Sequence, residues 1–551
     1  MKAGACMPPS SPFRFPTRHY PYRRATAGVP VFTLASDPLM GLAEGTVAKF
    51  FLGADGTGVE LLQADLGGHI NDPFARLVLM AGHRPRTLLD LLAVLNAATG
   101  AEAVPGQRLY RVADGGQIPW DPSTETLNRL LRLIVTRHRG EDAELFIATA
   151  PPFDAVDIFL QVFAWDPVAG AFNFYERRSD IWVWAGSSWQ ALEAPTRGLG
   201  PFDSHVNGGP VMKELKVPWM HWHSQGTPIQ DDILAPADPL RTDSLYQSTD
   251  LKGAEDLELI VRAGIARWTR SRFEKFTVGG VLQRAPDFLR HLLTTTTVNL
   301  TSALQPSASL QPMEALRLPT TFFVDSDRLV TTLGLTPALP RLKTQASFYQ
   351  ATLQTYDVRV QDESGFSRPG DTHFAFAVPE PAFEDEVVLQ ELLSRRALSK
   401  KLAACLLMVD FPNPVFSLRR EALLRYVPGT IALDGGADLD HTFVDAVIAS
   451  PEAADSTSVE AEFLELWRLP DTTWEAEMVG RLEAYWTKVQ VRLATAQGFD
   501  DIFRLSESRR HAFSRRPLAE FKLTVAIALK LDLPVALQMT PDALVQPVPP
   551  S

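Results

Sequence analysis

The spacing of apolar residues changes character near residue 250. Before it, short runs alternate with period two or are continuously aromatic and β-branched; beyond it, apolar residues recur three and four apart. Residues 31–66 read as short strands, with TVAKFFLG and GVELLQADL flanking the hairpin-like Ala54-Asp55-Gly56-Thr57-Gly58. Asn71-Asp72-Pro73 sets a capping side chain before a first-turn proline and predicts a helix over about 73–81; a second follows over 86–98, stopped near Gly100. RLYRVADGGQIPW predicts a strand and turn. TLNRLLRLIVTRH, opened by Ser123 or Thr124 and closed by Gly140, predicts an amphipathic helix.

Residues 143–192 are the most strand-like part. ELFIATA, DIFLQVFAWD, AFNFYERR and DIWVWAG lie too close together for crossover helices, so an antiparallel meander is expected, with Asp166-Pro167-Val168-Ala169-Gly170 as one tight connection. Residues 195–250 are punctuated by Pro and Gly. In the second half, GAEDLELIVRAGIARWTRSRFEKF and PDFLRHLL predict helices, and TTFFVD, TYDVRVQ and THFAFAV predict strands. Helices resume at about 384–408, 417–426, 440–449, 458–467, 473–496 and 517–530. The expected class is α+β, with an antiparallel β-rich segment in the first half and a mainly helical second half. Residues 1–30 read as a loose N-terminal arm, 31–250 as an α+β region and 251–545 as a mainly helical region.

Composition adds mostly exclusions. The 551 residues are 45% hydrophobic, which suits a buried core. A net charge of −12 argues against a general nucleic-acid binder. No run reaches the ~20 apolar residues of a membrane span, and the N-terminus lacks the apolar stretch of a secretory signal; a soluble, cytoplasmic chain is expected. With only Cys6 and Cys405, neither a disulfide framework nor a Cys-rich zinc module is expected. Walker-type phosphate loops, His-Glu-x-x-His and covalent-haem motifs are all missing from the sequence.

The densest candidate chemistry lies in DSHVNGGPVMKELKVPWMHWHSQ. Of eleven histidines, three fall between positions 205 and 223. Pro218 and Pro228 bracket His221 and His223, which discourages a helix there. In extended chain, residues two apart share a face, roughly 6.5 Å apart at Cα, and two imidazoles can then reach one ion. Gly208-Gly209 allows the chain to turn and bring His205 near, and Asp203 or Glu214 supplies a carboxylate. The expectation is a single transition-metal ion (iron, copper or zinc) held by His205, His221 and His223 with Asp203 or Glu214. Lys213 or Lys216 would hold a substrate carboxylate, and Trp219 and Trp222 would wall the site. This reads as a metal-dependent oxidoreductase acting on a small or medium organic substrate. The alternative is a non-catalytic binding or assembly protein with structural histidines, which 42 prolines and long irregular loops also suit. His291, in PDFLRHLL, reads as a core or surface histidine. The arginines at 504, 509, 510, 515 and 516 and the cluster Arg395, Arg396, Lys400 and Lys401 read as solvated faces or ion-pair partners.

Overall fold

The structure is a computed structural model. It describes residues 42–49, 59–60, 66–68, 70–113, 120–125, 131–197, 202, 205, 207–210, 231–295, 298–301, 310–361, 365–370, 378–381, 383–433, 438–514 and 526–549. The class is α+β. The chain divides into two compact units: residues 1–112, 131–208 and 237–252 form unit 1, and residues 113–130, 209–236 and 253–551 form unit 2.

Unit 1 is built on a nine-stranded mixed sheet. Its strands are β1 (Val47–Lys49), β2 (Val59–Glu60), β3 (Gly106–Ala113), β4 (Leu131–Arg139), β5 (Asp142–Thr149), β6 (Leu160–Asp166), β7 (Ala171–Arg178), β8 (Ile181–Ser187) and β9 (Leu251–Lys252), in the spatial order β2-β1-β8-β7-β6-β5-β4-β3-β9. The meander expected over 143–192 is there as β5 to β8, each strand antiparallel to the next. Asp166 closes the β6–β7 connection, its Oδ1 accepting the amides of Val168 and Ala169 at 2.9 Å. β1 and β9 lie parallel to β8 and β3.

The helix expected from TLNRLLRLIVTRH is overturned over 131–139, which form β4; residues 126–130 lie outside the described part. The reason is burial on two sides. Residues 133–138 are all buried, whereas an amphipathic helix buries one stripe. Val135 joins a cross-strand row with Ile147, Val162 and Tyr175, and Thr136 joins the opposite-facing row of Phe146, Phe163 and Phe174. These pairings outweigh the helix propensity of the leucines and arginines.

The face carrying Asn173, Tyr175 and Trp182 is covered by a helix with π-type turns, Ala75–Leu79, whose Phe74 ring lies 4.8 Å from both Tyr175 and Trp182. The next helix, Leu88–Ala97, starts on a reciprocal cap: Thr87 Oγ1 accepts from the Asp90 amide, and the Asp90 carboxylate accepts from Thr87.

Unit 2 is mainly helical. Its longest helix is Ala254–Phe276, and helix Ala285–Leu293 follows a small hairpin turned on Gly279-Gly280, both at positive φ. Helix Lys400–Met408 runs through the core, burying every residue from Leu402 to Met408. Three expectations fail here. TTFFVD is no strand: Thr320–Phe322 form a 3-10 turn, and π-type turns follow over Asp327–Thr332. The helix over 384–408 is two, Phe383–Ser394 and Lys400–Met408, separated where Arg396 takes φ 50°. The helix over 517–530 is replaced by a strand at Ala526–Ala528, with 515–525 outside the described residues; the helix there is instead Ala496–Ser514. No helix among the described residues is long and apolar enough to cross a membrane.

Candidate functional site

Of the expected site residues, the structure describes only His205. Asp203, Lys213, Glu214, Lys216, His221 and His223 lie outside the described residues, as do Trp219 and Trp222. The turn that follows His205 is tightly built. Its carbonyl accepts the Gly208 amide at 2.7 Å, and Ser188 Oγ donates to the Gly208 carbonyl at 2.7 Å. Gly208 takes φ +77°, and a Cβ there would lie 2.7 Å from the Ser188 carbonyl oxygen, so this turn admits only glycine. The His205 ring stands edge-on to Phe163 at 4.7 Å between centroids and lies 5.4 Å from Phe174; Phe202 in turn packs edge-on to Phe174. His205 is thus seated on the aromatic row of β6 and β7. Among the described residues no group of three His, Cys, Asp or Glu side chains is placed to hold a metal ion.

Unit 2 contains a second concentration of chemistry that the sequence reading missed. His291 is fully buried; its Nδ1 lies 2.9 Å from Asp385 Oδ1, and its Nε2 lies 3.4 Å from an Arg272 guanidinium nitrogen. Asp385 accepts and Arg272 donates, so this network assigns the proton to Nδ1. Burial, reinforced by Arg272, Arg290 and Arg328, holds the imidazole pKa well below its ordinary value. Arg328 donates to the His291 carbonyl at 2.5 Å and pairs with Asp325, both side chains buried. Arg420 donates to the carbonyls of Val409, Asp410, Asn413 and Pro414. Arg509 donates to Phe322 and Pro412 carbonyls. MVDFPNPVFSLRR is therefore a loop held by its own arginine. Arg509 and Arg510 are buried rather than solvated, and Arg510 is an ion-pair partner, of Glu507; Lys400 and Lys401 also form ion pairs, with Glu475 and Asp471. No short motif announces this array, because its members come from six separate stretches of chain. The available signal was Arg272 falling on the stripe of Leu257, Val261, Ile265 and Trp268 in helix Ala254–Phe276.

A third group lies under the first helix of unit 1. Asp72 Oδ1 accepts the Ala75 amide at 2.9 Å, the cap expected from the sequence. Its Oδ2 also accepts from Tyr175 Oη at 2.6 Å and Asn173 Nδ2 at 2.8 Å. Burial raises this carboxyl to about 6 despite the three donors.

No protein-family model, curated protein or solved structure matches the chain.

Proposed function

We propose that the chain is a metal-dependent enzyme, an oxidoreductase acting on a small or medium organic substrate, with its centre in the segment 203–223. The observation that carries this reading is His221-x-His223 between two helix-discouraging prolines, with His205 sixteen residues before His221. His221 and His223 are the core ligands, His205 the third imidazole, and Asp203 or Glu214 the carboxylate. Lys213 or Lys216 binds a substrate carboxylate. The bound ion supplies the redox chemistry; the protein's part is to fix the ligands and keep the pocket walls apolar. The tight turn after His205 supports the reading to the extent that a ligand must be held still.

A second reading, a non-catalytic binding or assembly protein, is favoured by one observation: the His205 ring sits among Phe163 and Phe174 as an aromatic packing group. Elemental analysis of protein purified from metal-replete cells separates the two. Near-stoichiometric iron, copper or zinc, lost in His221→Ala and His223→Ala with the circular dichroism spectrum unchanged, is the expected result. Well-folded, metal-free protein overturns the enzyme reading and leaves the second in place.

A further inference from the structure

We propose that Asp72, with Asn173 and Tyr175, forms a proton-controlled latch that fastens the Ala75–Leu79 helix to the sheet of unit 1. The geometry is that of a fastener. One carboxyl oxygen caps the helix through the Ala75 amide, and the other takes donors from two side chains of β7, about a hundred residues away in sequence. The adjacent Asn71 amide is held by Asp166 Oδ2 at 2.7 Å, so the start of this helix is tied to the sheet at two consecutive residues. Arg76 points elsewhere, to Asn71 Oδ1 and Glu102. Phe74 packs between Tyr175 and Trp182.

What makes the latch respond to protons is the burial of its carboxyl. Asp72 is 0% exposed, and among the described residues no cation contacts it. The titratable groups facing it are Tyr175 on β7 and Asp166 at the end of β6; neighbouring His69 lies outside the described residues. Asp166 opposes ionisation of Asp72, and Tyr175, itself held well above its ordinary value, stays a donor across the physiological range. The carboxyl thus stands near 6 when latched, against 3.8 when the helix lifts and water reaches it. The latched form binds the proton more tightly. Closure is therefore favoured below pH 4, and the advantage fades as pH rises through 4 to 6. The ratio of open to closed form grows about 100-fold across that window.

Amide hydrogen exchange on the full chain, corrected for the intrinsic pH dependence of exchange, reads this directly. The amides of Ala75, Arg76, Met80 and His83, all bonded within this helix or its cap, are the reporters; those of β5 and β6 are the reference. The expected result is protection of the four reporters falling about 100-fold between pH 4 and 8 relative to the reference. In Asp72→Asn that dependence disappears. In Tyr175→Phe, which removes a donor and keeps the ring, the midpoint moves to higher pH. Reporter protection that is flat in the unsubstituted protein, or that keeps its pH dependence in Asp72→Asn, overturns the proposal. Should Asp72→Asn not fold, an unshifted midpoint in Tyr175→Phe overturns it equally.

Discussion

A methyl group at position 208 would meet the Ser188 carbonyl oxygen at 2.7 Å, whereas one at Gly82, also at positive φ, would meet nothing within 4 Å. The two glycines separate two costs. Gly82→Ala imposes only the left-handed backbone penalty, about 1 kcal/mol. Gly208→Ala adds a clash with fixed backbone and threatens the Ser188 bond, so a loss of more than ~2 kcal/mol is expected. Urea midpoints for the two variants check this; equal losses would show that the turn after His205 yields. The sequence made Gly208-Gly209 legible as a turn, since glycine pairs reach backbone conformations closed to other residues. It could not show which atom the glycine makes room for, because Ser188 approaches from a different stretch of chain. Asp72 illustrates the same limit. Its role as a helix cap is local and was readable; its bonds to Asn173 and Tyr175 depend on strand register and were not.

Among the elements, β4 and the helix Ala285–Leu293 mark where local pattern succeeds and fails. PDFLRHLL reads as a helix because its apolar residues fall on one stripe, and nothing in the packing contradicts that. LRLIVTRHR carries helix formers, yet its β-branched Ile134, Val135 and Thr136 are taken up by strands on both sides, and non-local pairing decides. Helix Ala285–Leu293 is tied to helix Phe383–Ser394 by the His291–Asp385 bond, both side chains almost wholly buried. Removing the carboxylate leaves the buried His291 Nδ1–H without its acceptor and takes from the buried Arg328 one of its nearby negative charges. Asp385→Ala should therefore destabilise by about 3–5 kcal/mol, and Asp385→Asn, which keeps an acceptor, by less. The imidazole is neutral in the folded state, so unfolding below its ordinary value of 6.5 takes up a proton. Stability from this residue is complete above that pH and declines as the solution is acidified through it. Histidine-selective NMR provides the check: one ring should stay neutral and in the Nδ1–H form from pH 8 to 5.5. If every imidazole titrates near 6.5, the assigned network is wrong.

At the scale of the molecule, the α+β class was readable because it depends on period and composition summed over long stretches. The return of residues 113–130 and 209–236 to unit 2 was not, since which unit claims a segment is settled by contacts distant in sequence. The helical core of unit 2 offers a native probe of its own integrity. Cys405 sits in helix Lys400–Met408 with every neighbour from Leu402 to Met408 buried, and it is itself 0% exposed. Burial pushes its thiol up to about 12, so thiolate is scarce as well as shielded. A thiol reagent must then wait for the core to open. Cys6 is the chain's one other thiol, so native protein should show no more than one rapidly reacting cysteine, and denatured protein two. Reaction of the slow thiol should speed up in urea in step with loss of the helical circular dichroism signal, and reductant should leave the melting temperature of the native protein unchanged. A second thiol that reacts rapidly under native conditions would show that helix Lys400–Met408 is not the closed centre of unit 2.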